Sequence, residues 1–253
     1  MKRIFLTVLL GVIISFSVSA DEKSNAKVED CWKGFNKASF AINQTLDGIL
    51  FEPLAKGYRY LPSPIRTGSS NVVSNISNLM TIPNNLLQGD IKSAANNTLR
   101  LIVNTTLGIV GIFDVATGLG LEKLDKEDYG QTFAKWGMGP GCYIVLPVLG
   151  PATARDAFGK AISFAGGDPW YNITSENDTR FFKDSDYFFS QATRGIDFRA
   201  KNIEAFDSIE KNSIDFYASI KSLYLQDREK KILNSDDIID TLDDSDWDEI
   251  EIK

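Results

Sequence analysis

The residue types that carry most enzyme chemistry are scarce in this sequence. It contains no histidine, so the most common general base, the Ser-His-Asp arrangement and the most common zinc ligand are all missing. Two Ser-x-x-Lys pairs, Ser24 with Lys27 and Ser208 with Lys211, lack the companion motifs of the enzymes that use this pattern. The GMGPG run from Gly137 does not have the spacing of a dinucleotide-binding turn. We therefore expect a protein that is not an enzyme and uses no cofactor or metal.

Cys31 and Cys142 are the only cysteines among the 253 residues. Outside the cytoplasm, a pair of thiols can persist as a disulfide. One pair at so wide a spacing is also compatible with two separate thiols. The spacing alone leaves both alternatives open.

The amino terminus has the layout of a secretory signal peptide. Lys2 and Arg3 precede an apolar run, and small residues up to Ala20 form a cleavage site. The alternative is a membrane anchor, which needs about 20 apolar residues. This run is shorter before it meets Asp21. We expect residues 1–20 to be a signal peptide and the protein to be exported.

The charge of the chain argues against a nucleic-acid partner. It holds 27 basic and 34 acidic residues, a net charge of −7, and removal of the basic signal peptide would make it more negative. Binding to nucleic-acid phosphates needs clustered lysine and arginine. The last stretch, residues 234–253, is rich in aspartate and glutamate and predicts an acidic tail in solvent. Its apolar residues, such as Trp247, leave open a short segment that orders against a basic partner.

Most of the chain between the termini shows the apolar spacing of helices. One helix is predicted to begin near Phe35, and two more are predicted on either side of Pro83. A single long helix is predicted from Phe198 to about Leu233. The apolar positions that we expect to face a core in the first and third of these helices are Phe35, Ile42, Leu46, Ile49, Leu87, Ile91, Ala94, Ala95, Leu99 and Ile102.

Two apolar segments contain unusually many helix breakers. Residues 99–120 are almost continuously apolar but include four glycines, and residues 131–156 mix glycine and proline with a similar apolar stretch. The first segment is too polar and too rich in glycine for a transmembrane helix. Such segments either form the interior of a helical protein or lie in a lipid interface without crossing it. The residues alone do not decide between these two positions.

Several motifs, in order along the chain, resemble the MlaA/VacJ family. They are GFNKASFAINQTLD at 34–47, PSPIRTGSSNVVSNISN at 62–78, LLQGD at 86–90, NTTLGIVGIFDVA at 104–116, EDYGQTFAKWGMGPGCYIVLPVLGP at 127–151, and Arg155 with Asp156. The Gly-x-Gly-Pro-Gly-x-Tyr block is the most unusual of them. Residues 162–253 resemble the family mainly in pattern.

The resemblance implies a mainly α-helical protein of the Gram-negative outer membrane. Over residues 21–233 it implies a single compact, ring-like helical domain with interfacial amphipathic segments and a lipid channel. The implied task is not enzymatic: phospholipids misplaced in the outer leaflet are removed and passed to a soluble periplasmic carrier, which keeps the bilayer asymmetric. The implied partners are phospholipids, an outer-membrane porin trimer, this carrier, and the membrane at its periplasmic face. Irregular backbone is tolerated at membrane depth where it lines a polar cavity, which agrees with the breaker-rich segments.

Residues 131–156 resemble the hairpin loop that lies beside the lipid channel in this family. By that resemblance, the glycines supply pliable turns, and the apolar side chains face lipid or the channel wall. The alternative is a loop that is buried for stability. The predicted gate residues are Gly137, Gly139, Pro140, Gly141, Tyr143, Ile144, Val145, Leu146 and Pro147.

The sequence departs from the family at two points. Many members have a cysteine at the cleavage site that carries a lipid anchor, whereas Ala20 and Asp21 offer none, so we expect attachment through the apolar segments. Cys31 and Cys142 stand where the family usually has proline, and we hypothesise one disulfide between the amino-terminal segment and the hairpin. Two other functions stay open. One is a porin-binding structural surface protein without transport activity, and the other is a lipid hydrolase, which the missing histidine disfavours.

Overall fold

Helices account for most of the described structure. The computed structural model describes residues 28–176 and 182–234. The predicted signal peptide, and all of the predicted acidic tail except Asn234, lie outside these residues. Within them, the mainly α-helical architecture that the apolar spacing and the resemblance predicted is confirmed.

The elements are named here in chain order. The α-helices of the described ranges are α1 (Lys33–Leu46), α2 (Glu52–Arg59), α3 (Ser63–Leu87), α4 (Ile91–Thr106), α5 (Val115–Gly118), α6 (Tyr129–Lys135), α7 (Ala154–Ile162), α8 (Pro169–Tyr171), α9 (Asp184–Lys201), α10 (Ile203–Asn212) and α11 (Phe216–Leu233). π-helical turns cover Asp47–Phe51, Ser163–Gly167 and Asn172–Glu176. The strands β1 (Tyr143–Leu146) and β2 (Gly150–Thr153) form an antiparallel hairpin, with Tyr143 opposite Thr153 and Leu146 opposite Gly150.

Many of these helices begin at a side chain that accepts a hydrogen bond from the first turn. Such a cap satisfies one of the backbone N–H groups that the first turn leaves without a partner. The capping residues are Asp90 for α4, Asp114 for α5, Asp128 for α6, Thr153 for α7, Asp168 for α8 and Asp215 for α11. Local sequence therefore sets where these helices start.

The helix break predicted near Pro83 is wrong, because α3 continues through this proline. The chain turns instead at Gly89, whose backbone φ of 81° lies in the left-handed region that glycine adopts readily. Pro83 removes one N–H from the helix. In the same turn, the Asn84 side chain donates an additional hydrogen bond to the Met80 carbonyl (2.8 Å).

The single long helix predicted from residue 198 to about residue 233 is also wrong, because three helices cover this range. The chain becomes extended at Ser213, where ψ is 139°, and Ile214 beside it is fully exposed. Asp215 then caps α11. Short polar residues form hydrogen bonds with nearby backbone in non-helical conformations, which favours a break here. The apolar period runs across the break and did not reveal it.

The helices α3 and α4 bury polar side chains and expose apolar ones. Their buried polar residues are Asn75, Ser77, Asn78, Thr81, Asn84, Asn85, Asn97, Arg100 and Asn104. The exposed apolar residues on these two helices and in the α1 region are Phe35, Ile42, Ile49, Ile65, Leu86, Leu87, Ile91, Leu99 and Ile102. The prediction that these apolar faces pack into a core is therefore wrong. Of the residues predicted to face it in α4, Ala94 is buried, whereas Ala95 is exposed.

Apolar packing in the described residues is concentrated in small clusters. One joins α2 to α9 and α10 around Ala55. The other packs Tyr143 and Val145 of β1 against Tyr217 of α11. Lys221 lies 5.2 Å from the centre of the Tyr143 ring. The second cluster places one face of the hairpin inside the molecule.

Candidate functional site

Two asparagines of α1 hold the hairpin along β1. Asn36 is fully buried, and its Nδ2 donates to the Tyr143 carbonyl while its Oδ1 accepts from the Val145 N–H, both at 2.9 Å. Two helical turns further on, Asn43 donates to the Leu146 carbonyl (2.9 Å) and accepts from the backbone N–H two residues later (2.7 Å). An adjacent strand would satisfy the same alternating groups of β1. The two side-chain amides therefore take the place of a third strand.

A disulfide closes the base of the hairpin. Cys31 and Cys142 are bonded, and their Cα atoms lie 5.6 Å apart, within the usual range. The next residue, Tyr143, donates its backbone N–H to the Glu29 carbonyl (2.8 Å). The structure thus contains the pairing that the cysteine spacing left open. The disulfide and this hydrogen bond fasten residues 29–31 to the start of β1.

The loop that leads into β1 turns at two of the three predicted glycines. Gly137 and Gly141 have φ values of 89° and 65°, in the left-handed region, whereas the φ of Gly139 is not positive. Arg155 is largely buried and donates from Nη1 to the Met138 carbonyl (3.2 Å), and its backbone N–H donates to a second loop carbonyl (3.2 Å). The loop is therefore held on its inner side.

The predicted gate residues do not share one environment. Tyr143 and Val145 are fully buried, so the prediction that they face lipid or a channel wall is wrong. Ile144 and Leu146 alternate with them along the strand and are half-buried, because successive side chains point to opposite faces. The other members lie at the surface or half-buried in the flanking loops: Gly137, Gly139, Pro140, Gly141 and Pro147. For all the members except the buried pair, the gate role stays a prediction.

A cavity of about 400 Å³ opens beside the tip of the hairpin. Val148 and Gly150 contribute to its wall, and phenylalanine rings from several elements form much of the rest. These rings belong to Phe40, Phe51, Phe198, Phe206 and Phe216. Sequence reasoning missed this set because residues far apart in the chain contribute to it. A cavity with this size and lining suits an apolar chain.

The lining of this cavity also includes a fixed charge network around Arg199. Its Nε donates to both oxygens of Asp47 (3.0 Å each), and its guanidinium lies 3.7 Å from Glu52 and 4.0 Å from Asp207. It also stacks over Phe206, 5.1 Å from the ring centre. Burial lowers the pKa of Arg199, but the hydrogen bonds that it donates to Asp47 and the neighbouring carboxylates outweigh this and raise the pKa above its ordinary value. The cavity is therefore amphipathic.

A polar network holds the segment between α4 and α5 from the inside. Arg100 donates from Nη2 to both oxygens of Asp114 (2.8 and 2.9 Å), and Asn104 donates to the same carboxylate (3.0 Å). The Oδ1 of Asn104 accepts from the Ala116 N–H (2.8 Å). Burial alone would raise the pKa of Asp114, but hydrogen bonds from Thr117, Asn104 and Arg100 lower it to about 2. The carboxylate stays ionised at neutral pH and anchors this segment.

Residues 107–113 turn apolar side chains outward, and we name them the apolar loop. Ile109 and Val110 have φ values of 52° and 56°, and the left-handed region costs about 1–2 kcal/mol for a residue with a side chain. Asn71 of α3 supports the loop by donating to the Ile112 carbonyl (3.0 Å). Of the two alternatives predicted for residues 99–120, an interior position is therefore wrong for the apolar side chains of this loop. Its exposed side chains are Leu107, Ile109, Val110, Ile112 and Phe113.

The buried polar faces of α3 and α4, the apolar outer faces and the amphipathic cavity together define the class: a helical protein whose surface contacts lipid. Across residues 28–176 and 182–234, no helix has both the length and the hydropathy to cross a bilayer. The same described residues contain no cluster of histidine, cysteine, aspartate or glutamate that could hold a metal ion.

The chain belongs to the MlaA lipoprotein family, whose model matches residues 28–231. A solved structure that addresses the maintenance of bacterial outer membrane lipid asymmetry is similar to it, with a TM-score of 0.66 and 28% sequence identity. The similarity covers 81% of this chain and 99% of that one. The family that the sequence motifs predicted is thereby confirmed.

The chain is also similar to relatives over most of their length. An uncharacterised protein of Rickettsia bellii is 34% identical over 87% of this chain and 83% of its own length. The intermembrane phospholipid transport system lipoprotein MlaA of Escherichia coli is 28% identical, over 89% of this chain and 87% of its own. Its counterpart in Haemophilus influenzae is 26% identical, over 91% and 90% respectively.

Proposed function

We propose that this protein removes phospholipids from the outer leaflet of the outer membrane and passes them to a soluble periplasmic carrier. This transport keeps the two leaflets different in composition. The observation that carries the proposal is the amphipathic cavity at the hairpin tip, whose aromatic lining suits acyl chains. The names of the Escherichia coli and Haemophilus influenzae relatives, which place them in an intermembrane phospholipid transport system, support it.

The outward apolar faces support residence at a lipid interface, on the periplasmic side of the outer membrane. Each large apolar side chain gains about 1.5–3 kcal/mol when it leaves water. The exposed residues of α1, α3, α4 and the apolar loop offer many such side chains. Polar groups are costly in lipid, and α3 and α4 keep theirs inside. Attachment through these faces is what we propose for the protein.

A phospholipid that crosses a protein needs two surfaces, one for its polar head and one for its chains. The lining of the cavity at the hairpin tip supplies both, because Asp47, Glu52 and Arg199 stand beside the aromatic rings. This combination supports passage of an intact lipid without covalent chemistry. The proposed role is therefore that of a transporter and not of an enzyme.

We infer that gating motion is confined to the hairpin tip. The base is fixed by the disulfide and by Asn36, whereas Val148 and Leu149 at the tip are 63% and 49% exposed. Val148 also has a φ of 67°, which a β-branched residue tolerates poorly, so release of its N–H from Asn43 gives access to another tip conformation at modest cost. Of the residues proposed for the gate, Ile144, Leu146 and Pro147 lie in the strand and turn that lead to the tip. Gly137, Gly139, Pro140 and Gly141 lie in the loop before the fixed base, where the gate role stays a prediction.

The proposed protein partners are an outer-membrane porin trimer and the soluble carrier. The extent of exposed apolar surface supports a membrane-embedded partner, since a monomer in water rarely exposes so much. Cross-linking in intact cells, followed by purification in detergent, tests the porin. Recovery of the protein without any porin would remove this partner from the proposal and leave the lipid cavity untouched.

The central experiment measures phospholipid in the outer leaflet of cells that lack the protein and of cells that produce wild type, Val148→Asp or Ile214→Asp. Val148 lines the cavity, whereas Ile214 is equally apolar but fully exposed and outside its lining. We expect phospholipid to accumulate without the protein and with Val148→Asp, and Ile214→Asp to behave as wild type. Phospholipid should also co-purify with wild type. A normal outer leaflet in cells without the protein, and a purified protein free of lipid, would instead indicate the structural, porin-binding role.

A further inference from the structure

Two cations from different elements converge on adjacent residues of α3. Arg194 of α9 donates from Nη2 to the Ser77 hydroxyl (2.5 Å), and Lys126, shortly before α6, donates to the Asn78 side-chain oxygen. Lys123 lines the same small polar pocket as Lys126. We name Lys123, Lys126 and Arg194 the cationic concavity.

The positive charge of the cationic concavity is poorly balanced. Burial, followed by repulsion from Arg100, Lys123 and Arg194, lowers the pKa of Lys126 to about 8, so like charges face one another here. The carboxylate that attracts Lys126 is Asp114, but Arg100 already binds both of its oxygens. Among the described residues, Arg100 forms a salt bridge with Asp114, whereas none of the three cations forms one.

The carboxylate that faces Arg194 differs from Asp114, because the hydrogen bonds that it accepts come from neutral groups. Asp168 attracts Arg194, yet it accepts hydrogen bonds from the Tyr187 hydroxyl (3.3 Å) and from the Trp170 backbone N–H (2.9 Å). Lys126 is therefore the partly buried cation whose counter-charge is bound by another cation, which is costly. An anion from outside the chain would relieve this cost.

The dimensions of the site place such an anion at its mouth. The polar pocket has a volume of about 10 Å³, which holds roughly one water molecule. Lys123 and Arg194 are exposed, whereas Lys126 is half-buried. Arg194 does not line the pocket, so an anion that meets all three cations lies outside it, at its rim.

We propose that the cationic concavity binds the phosphate of a phospholipid headgroup, an inference that rests on the proposed function. Asn71 lines the polar pocket and donates to the Ile112 carbonyl of the apolar loop, so the two surfaces adjoin. A phosphate held by the cations has apolar side chains next to it that suit attached acyl chains. This arrangement favours a lipid phosphate over free phosphate, which gains nothing from the apolar neighbours.

The test measures binding by calorimetry, with the full-length protein in detergent, of dihexanoyl phosphatidylethanolamine, dihexanoylglycerol and inorganic phosphate. The variants are Lys126→Gln with Arg194→Gln, the charge-preserving Lys126→Arg, and Lys211→Gln as a control. Lys211 is an exposed lysine at the end of α10, outside the concavity. Because each charge-assisted contact contributes markedly, we expect the double variant to bind the phospholipid at least about tenfold more weakly. Binding of dihexanoylglycerol should not change, and Lys126→Arg and Lys211→Gln should match wild type.

The outcomes separate this inference from the proposed function. Phospholipid binding that is equal in wild type and double variant overturns the headgroup site and leaves transport standing. Inorganic phosphate that binds as tightly as the phospholipid overturns the lipid assignment in favour of a free-anion site. The proposed function itself is overturned if the wild-type protein binds no phospholipid at all and if cells that lack the protein keep a normal outer leaflet. Thermal unfolding of each variant confirms that it is folded before binding is compared.

Discussion

The buried side chain of Asn36 accepts the backbone N–H of Val145 at 2.9 Å, across 109 residues of sequence. Its amide nitrogen also donates to the carbonyl two residues earlier, at 2.9 Å. One helical side chain thus satisfies a donor and an acceptor of β1 that no neighbouring strand reaches. The hairpin consequently has a rigid inner edge and an exposed tip.

Replacement of Asn36 by leucine should destabilise the protein by about 2–4 kcal/mol, because it leaves a buried N–H and a buried carbonyl without partners. Chemical unfolding in detergent measures the loss, and amide exchange at Val145 should become faster. Asn212→Leu is the control, since Asn212 is exposed and bonds within its own helix. It should change the unfolding free energy by less than about 0.5 kcal/mol. Equal effects from the two variants would contradict the strand-replacement role.

Reduction of the disulfide should lower the free energy of unfolding by about 4 to 5 kcal/mol in the chain-entropy model, because Cys31 and Cys142 are separated by 111 residues. Unfolding with and without reductant measures this difference. The double variant Cys31→Ser with Cys142→Ser should start at the reduced value and be insensitive to reductant. A wild type whose stability is the same under both conditions would show that the bond constrains little.

The stability of the protein in acid should depend on Asp114. Its folded pKa of about 2 lies below the ordinary 3.8, so its ionised form stabilises the fold. The contribution, up to about 2 kcal/mol, is present above pH 4 or so and is lost as the pH falls towards 2. The difference in unfolding free energy between wild type and Asp114→Asn should therefore shrink over that window. Asp227→Asn is the control, because Asp227 forms an exposed ion pair with Lys231. It should change the free energy of unfolding by less than about 1 kcal/mol.

Binding to vesicles should depend on the apolar loop. Phe113 is 58% exposed, so Phe113→Ser removes an apolar contact with lipid and leaves the packing of the protein largely intact. We expect roughly tenfold weaker partition into phosphatidylethanolamine and phosphatidylglycerol vesicles, measured by co-sedimentation, with an unchanged unfolding temperature. Ile214→Ser, an exposed apolar residue between α10 and α11, is the matched control. A loss of the same size in the control would indicate general stickiness and no specific membrane face.

Lys126→Met should raise the stability of the protein at pH 7 by about 1–3 kcal/mol, because it removes a charge that burial and neighbouring cations disfavour. The folded pKa of about 8 lies below the ordinary 10.5, so the unfolded chain binds more protons between these values. Wild-type stability should therefore rise with pH through this window, and the advantage of Lys126→Met should fade. An advantage that stays constant from pH 7 to 10.5 would show that packing, and not charge, causes it.

The sequence predicted the helical class and the family correctly. It predicted burial and helix boundaries wrongly where one residue pattern is compatible with two structures. The periodicity around Leu99 and Ile102 correctly indicated a helix with an apolar face. It did not show that this face points outward, since the period is the same whether the face meets a core or lipid. In the same way, the apolar period across Ser213 continued through a break that short polar residues make.

The candidate site was only partly visible in the sequence. The motif around Gly137 and Gly141 located the hairpin, because a glycine–proline block and the positive φ values that it allows are local properties. The buried pair Tyr143 and Val145 was assigned to the wrong environment, since alternation along a strand shows two faces without naming which is inside. The rings around the tip cavity come from five elements and have no shared sequence signal.

By itself, then, the sequence determined the class, the family, and the positions of many helix starts, because capping and periodicity act over a few residues. Tertiary structure decided the rest: which faces are buried, that Cys31 meets Cys142, that Asn36 serves β1, and where the cavity and the cationic concavity form. These features depend on which distant segments come together. Local interactions do not determine these contacts, because the contacts depend on how the polar and apolar faces of all the elements pack together.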